Sequence, residues 1–295
     1  KWEIYMTPNI NNHILFITEL YYDENHRKGP TNTIHKLLKT YQLSNIGDYD
    51  WKTWWDDLSS IDYSKYDFIV LSPLAHPAYD HLDKNYGILN NETFSLLESK
   101  NIPVFVIFWD SFYHHEKIKE ISKYKNVVNI ILDSLIGPPN SNCLALHTPI
   151  RDDIFKIDNS IIRDIDISFL GVKSINNRQE ILDRLTPELK KRNISFYWGG
   201  GRREENLSIE NYANIMQRSK ISLNFSGLGN FIQRKGKVLE AIFCGSFVLT
   251  DSDAWDELDL IVFKNEQHLL ELINHYLFID PLNREFLAAA ALEQV

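Results

Sequence analysis

Residues 233–251 read QRKGKVLEAIFCGSFVLTD. Three cations and a glycine come first, then a short apolar stripe carrying one glutamate, then Cys244-Gly245 and the buried-strand pattern SFVLT. Val238, Leu239, Ile242 and Phe243 fall at i, i+1, i+4 and i+5, one face of a helix. Gly245 stands where a C-cap glycine ends such a helix. A helix feeding straight into an apolar strand is the repeating unit of a parallel sheet covered by helices.

The same alternation extends in both directions. Toward the N-terminus, strands are expected at 13–22, 66–74, 102–111 and 127–134, with helices at 31–41, 91–100 and 114–124. CLALHTPI supplies one more short strand, and residues 151–164 read as a connector. The alternation then restarts. Strands are expected at 165–172, 194–201 and 221–227, and helices at 176–193, 209–220, 266–278 and from Pro281 onward, with Pro187 kinking or splitting the first of these. The pattern predicts two α/β domains, residues 1–155 and 160–295, each a Rossmann-like parallel sheet. Ligands of such sheets bind at the carboxyl ends of the strands, here in a cleft between the two domains.

Bulk composition narrows the function. A chain of 295 residues suits two domains. The net charge of −9 disfavours nucleic acid and anionic membranes, so an anionic ligand must rely on a local basic cluster. Two cysteines, Cys143 and Cys244, make neither a zinc pattern nor a disulfide framework, which suits a reducing compartment. No apolar run approaches the ~20 residues of a membrane helix, and the first residues lack a signal-peptide layout.

The opening stretch is the local basic cluster. Arg234, Lys235 and Lys237 crowd a helix that begins near Gly236. Cations there oppose the helix dipole, whereas an anion is favoured by the free N–H groups. Gly236 lets the backbone approach a phosphate closely. Glu240, one turn in, is placed to accept hydrogen bonds from a sugar diol. FYWGGGRR (196–203) brings Gly200 and Arg202 to a strand end, as a wrap around base or phosphates or as a solvated turn. His76, Asp110, His114 and His115 also follow strands and are cleft candidates by position.

YANIMQRSKISLNFSG followed by QRKGKVLEAIFCGSFVLTD resembles the C-terminal half of the group 1 glycosyltransferases, especially their spore-maturation (CgeB-like) branch. The resemblance covers about 165–295 and is architectural over 1–150. It implies the GT-B fold, α/β with two Rossmann-like domains facing a cleft, the donor being held mainly by the C-terminal domain. On that resemblance Glu240 matches the glutamate that binds the donor ribose. Arg234 and Lys235 lie in the region that meets the diphosphate, and Lys173 and Arg178 of GVKSINNR lie in a loop that faces it. Many retaining members carry a second glutamate earlier in this motif, where this chain has Ile232. The loop after the first strand, with Glu19, Gly29 and Thr31, lies where acceptor and donor meet, and Glu19 is a candidate general base. The chain is short for this fold, which implies a further C-terminal piece, or the last helix itself, packing back toward the N-domain.

Asp251-Ser-Asp253 invites a metal reading, but it stands too near the end of a bipartite chain for the glycosyltransferase fold that uses such a motif. The expectation is therefore a cytoplasmic, metal-independent glycosyltransferase without a cofactor. Its donor is a nucleotide-diphosphate sugar and its acceptor a hydroxyl, in glycan or surface polysaccharide synthesis. The alternatives are a nucleotide-sugar epimerase or hydrolase on the same fold, and a non-catalytic nucleotide-binding scaffold.

Overall fold

The computed structural model describes residues 12–18, 36, 39, 47–54, 56–73, 89–109, 111–134, 137–139, 141–171, 178–199, 207–228 and 231–295. These fall into two compact units, one up to His147 and one from Thr148.

The first unit is built on six parallel strands: β1 (Asn12–Thr18), β2 (Gly47–Thr53), β3 (Phe68–Leu71), β4 (Val104–Phe108), β5 (Val127–Ile131) and β6 (Cys143–Ala145), in the order β2-β1-β3-β4-β5-β6. β1 is buried nearly throughout because it has neighbours on both edges and side chains packed on both faces. One face packs Leu15, Ile17, Ile69 and Val106 against Phe94 and Leu97 of helix α1 (Asn91–Ser99) and Ile118 and Ile121 of α2 (His115–Ile121). The other carries Ile14 and Phe16, with Phe16 edge-on to Trp51 of β2 at 5.1 Å. Asn90 caps α1 by accepting from the Thr93 amide at 2.8 Å. β2 was not expected from the sequence. GDYDWKT is a mostly half-buried edge strand with five polar or glycine positions, so it lacks the apolar run that marks its neighbours. Of the helix expected at 31–41, only Lys36 and Lys39 are described, and both are helical.

The second unit has five parallel strands: β7 (Ile165–Leu170), β8 (Phe196–Gly199), β9 (Ser219–Asn224), β12 (Phe247–Thr250) and β13 (Ile261–Val262), in the order β13-β12-β9-β7-β8. A short antiparallel pair, β10 (Gly227–Leu228) and β11 (Phe231–Ile232), lies outside this sheet. Helices α3 (Arg178–Lys191) and α6 (Glu266–Asn274) cover one face through Leu182, Leu185, Leu189, Leu269 and Ile273. Helices α4 (Ile209–Arg218) and α5 (Gly236–Phe243) cover the other through Tyr212, Met216, Val238 and Ile242. α3 runs unbroken through Pro187.

The opening stretch folds as its pattern predicts. α5 ends at Cys244, and Gly245 takes φ +70°, with Gly245 N–H bonded to Ile242 O at 2.8 Å and Ser246 N–H to Ala241 O at 2.9 Å. These two bonds satisfy carbonyls that the helix end leaves open. The connector from Thr148 packs with this unit, burying Phe155 against Tyr212. The 266–278 helix becomes α6 plus a π-helical segment, His275–Ile279. After it, α7 (Pro281–Glu293), capped by Asp280, buries Arg284, Ala288 and Ala291 on its own unit.

Candidate functional site

The carboxyl ends of β7, β9 and β12 meet the first turns of α3 and α5 in the second unit. Gly171 follows β7, Asn224 closes β9, and Asp251 follows β12. Arg178 opens α3, and Lys237 is the second residue of α5. Two cations thus sit at helix N-termini, where the dipole and open N–H groups disfavour positive charge and favour an anion between them.

Arg178 is buried, and its Nη2 donates to Phe225 O at 3.2 Å. Its Nε has no hydrogen-bond partner among the described residues. Burial lowers its pKa, and the charge of Asp251 opposes that shift. Lys237 is half-buried, with Nζ 4.5 Å from the centre of the Phe169 ring. Desolvation pushes its pKa well below the ordinary lysine value. The charges of Arg178 and Lys235 push it further down, against Asp251 and Glu240. Among the described residues Lys237 has neither an ion pair nor a hydrogen bond. A side chain on Gly171 would begin 3.5 Å from Nζ, so the missing Cβ leaves the ammonium open on that side.

Asn224 is fixed by donating from Nδ2 to Ser226 Oγ at 2.7 Å and Thr250 Oγ1 at 3.0 Å, and its buried Oδ1 has no hydrogen-bond partner among the described residues. Asp251 Oδ1 accepts from the Ser226 amide at 2.6 Å. A small cavity beside these groups is lined by Ser168, Leu170, Ser222, Asn224, Lys237 and Val238.

The other members of the predicted cluster are differently engaged. Arg234 is buried, stacked 4.1 Å from the Trp255 ring and ion-paired with Glu257. Burial lowers its pKa, and Asp256 acts against the shift. Lys235, the N-cap residue of α5, donates to the Gln233 side chain. Beside Gly236 the space a Cβ needs is held by Thr148, whose Cγ2 would lie 2.8 Å away. The absent side chain therefore admits the connector. Glu240 accepts a hydrogen bond from the Tyr212 hydroxyl. Its charge follows burial as a cause of the raised Tyr212 pKa, and of the Cys244 thiol's rise to about 12.

Arg178 and Lys237 are thus brought together, with Lys235 close enough to act on Lys237 by charge. Glu19, His76, Asp110, Lys173, Gly200 and Arg202, with Gly29 and Thr31, lie outside the described residues. His114 packs on Phe108 at 5.4 Å and His115 begins α2, both in the first unit. Sequence reasoning missed Asn224, although an asparagine closing the apolar run ISLNF was a visible signal. Among the described residues no group of three or more His, Cys, Asp or Glu is placed to hold a metal ion. Among the described residues no helix is long and apolar enough to cross a membrane.

Residues 178–295 match the model of a family described as glycosyl transferase-like. No curated protein matches the chain. Solved structures match nearly its whole length. An α-glucosyltransferase in complex with UDP and a mismatched 13-mer DNA has TM-score 0.54 at 10% identity, covering 96% of this chain and 94% of that one. The α,α-trehalose 6-phosphate synthase of Burkholderia multivorans has TM-score 0.53 at 8% identity, covering 96% and 94%. A glycosyltransferase from Rickettsia africae ESF-5 has TM-score 0.53 at 10% identity, covering 96% and 93%. The chain therefore has the GT-B fold, two Rossmann-like α/β units. Its second unit is glycosyl transferase-like in sequence from Arg178 onward.

Proposed function

We propose that this protein transfers a sugar from a nucleoside-diphosphate donor to a hydroxyl acceptor, and that Arg178 and Lys237 receive the donor's diphosphate. The observation that carries this reading is the pair itself. Two cations lie at helix N-termini beside Gly171, and among the described residues Lys237 has no counter-ion and Arg178 Nε no hydrogen-bond partner. Buried or half-buried charge of this kind is costly unless a partner arrives. The family match from Arg178 onward and the GT-B fold support the same assignment. So does UDP in the complex of the structurally similar α-glucosyltransferase.

In the reaction the acceptor oxygen forms a bond to the anomeric carbon as the bond from that carbon to the diphosphate oxygen breaks. Negative charge grows on the departing diphosphate. Fixed cations and helix N–H groups aimed at that position stabilise it most when it is most charged. We assign this role to Arg178, Lys237 and the first turns of α3 and α5, without a metal. Lys235, Gly236, Lys173, Gly200 and Arg202 complete the proposed donor site, with Glu240 at the ribose. The acceptor proton passes to a base, for which Glu19, Asp110 and His76 are the candidates. The acceptor is a glycan or surface polysaccharide, and the reaction is cytoplasmic.

The test is a thermal-shift panel of UDP, GDP, dTDP, ADP and CDP on wild type, Arg178→Ala and Lys237→Ala. Near-saturating ligand, at 100 times its Kd, stabilises the protein by about 2.7 kcal/mol. One diphosphate stabilising the wild type, with that effect lost in both variants, supports the site. No shift with any diphosphate overturns it.

A further inference from the structure

Away from the donor pocket, all but one of the most exposed large apolar side chains of the described residues fall in a single stretch. Ile162 is 81% exposed, Phe278 59%, Ile279 68%, Leu282 81% and Phe286 68%, whereas every other exposed large apolar residue is below 50%. Four of the five fall within nine residues, at the junction of the π-helical segment and α7. α7 buries Arg284, Ala288 and Ala291 on one face. Leu282, Phe286 and Ala289, spaced i, i+4 and i+7, form a second apolar stripe turned outward. The π-helical register buries Tyr276 and leaves Phe278 and Ile279 outside.

The charges around this stripe argue against an anionic lipid surface. Arg284 turns inward, donating to Tyr276 O and pairing with Glu285. Arg163 likewise turns inward, donating to Ser219 O at 2.6 Å and Cys244 O at 2.8 Å. The outward charges on α7 are Glu285 and Glu293. An anionic lipid surface would be repelled by them. The area fits a different partner. These four side chains expose roughly 500 Å², in the upper part of the range for the largest patch on a monomer. Two copies facing each other would remove roughly 1,000 Å² from water, about the least that a specific interface clears and in keeping with one that dissociates on dilution.

We infer that the outward face of α7, with Phe278 and Ile279, is the contact through which two copies of this chain associate about a two-fold axis. Such a contact is self-complementary: the Leu282–Phe286–Ala289 stripe of one copy lies against its equivalent, and the small Ala289 allows close approach.

Sedimentation equilibrium over a wide dilution series, with full-length chain and no ligand, tests this. Wild type is expected to give twice the chain mass at high concentration and to dissociate on dilution. Leu282→Asp/Phe286→Asp is expected to give a single-chain mass throughout, with far-UV circular dichroism unchanged. Ile279→Asp, on the π-helical segment, is expected to weaken association at least tenfold, and it is the deciding variant should the double substitution unfold. Lys237→Ala, which tests the donor pocket, should leave association unchanged. A single-chain mass for wild type at every concentration overturns the inference. So does a dimer that persists in both patch variants. Flotation of the wild type with neutral or anionic vesicles, abolished by the same substitutions, would also overturn it and assign the stripe to a lipid surface.

Discussion

The guanidinium carbon of Arg234 lies 4.1 Å from the centre of the Trp255 ring, and the same side chain is ion-paired with Glu257. A residue that reads in the sequence as a phosphate ligand thus ties α5 to the segment after β12. Arg234→Ala removes the stacking and leaves Glu257 unpaired. Because Glu257 keeps access to water, the loss should be about 1–3 kcal/mol, below that of a fully buried pair. Urea unfolding measures it. Lys at this position should recover little, since an ammonium lacks the planar face.

Lys237 behaves oppositely. Lys237→Met removes an ammonium that has no counter-ion among the described residues while keeping a similar volume. The free protein should unfold at the same temperature or a higher one, while stabilisation by a nucleoside diphosphate is lost. Thermal scans with and without ligand separate the two effects. A variant less stable when free and still stabilised by ligand would show that Lys237 is structural.

The depressed Lys237 pKa also sets a pH dependence. Between its folded value and the ordinary 10.5, the unfolded chain holds a proton that the folded chain has released. The contribution of this residue to free-protein stability therefore rises with pH across that interval. Diphosphate favours the protonated form, so its affinity should fall as pH rises through the folded value. Calorimetry from pH 7.5 upward avoids the phosphate's own ionisation near about 6. Lys237→Arg should flatten the profile. Identical profiles for the two proteins would remove Lys237 from the site.

Glu240 and Lys237 should be separable by ligand. With the ribose role proposed for Glu240, Glu240→Ala should weaken a nucleoside diphosphate about tenfold and leave inorganic pyrophosphate unaffected. Lys237→Ala should weaken both. Competition binding with the two ligands provides the comparison.

Gly245→Ala should cost about 2 kcal/mol in denaturant unfolding. Its φ of +70° strains any side chain, and the added Cβ would meet Arg163 Nη2 at 2.8 Å and Ile157 Cγ1 at 2.9 Å. Ile157→Ala in the same chain should relieve only part of this, since the backbone strain remains.

The sheets were legible wherever apolar runs carry the signal. β4, β5, β9 and β12 are interior strands buried through hydrophobic positions, so their pattern survives in the sequence. β2 and β13 are edge strands with half-exposed residues, and nothing local distinguishes them from loops. At the site, the cationic mouth of α5 could be read from residues 234–237, but the partner of each cation could not. Trp255, Thr148 and Tyr212 meet the α5 region only after folding, across distances that no spacing rule covers. Asn224 and Asp251 are likewise positioned through Ser226 and Thr250.

Each sheet begins with an interior strand. β1 lies between β2 and β3, and β7 lies between β8 and β9, all four neighbours arriving later in the chain. During synthesis, Leu15, Phe16 and Ile17 leave the ribosome before any residue of β2, and Ile167 and Phe169 before any residue of β8. Both strands then present two unpaired edges and two uncovered faces, a state open to chaperone capture or to pairing with another nascent chain. Slowing translation just after β1 or β7 should therefore lower the yield of folded protein more than a pause placed after β13.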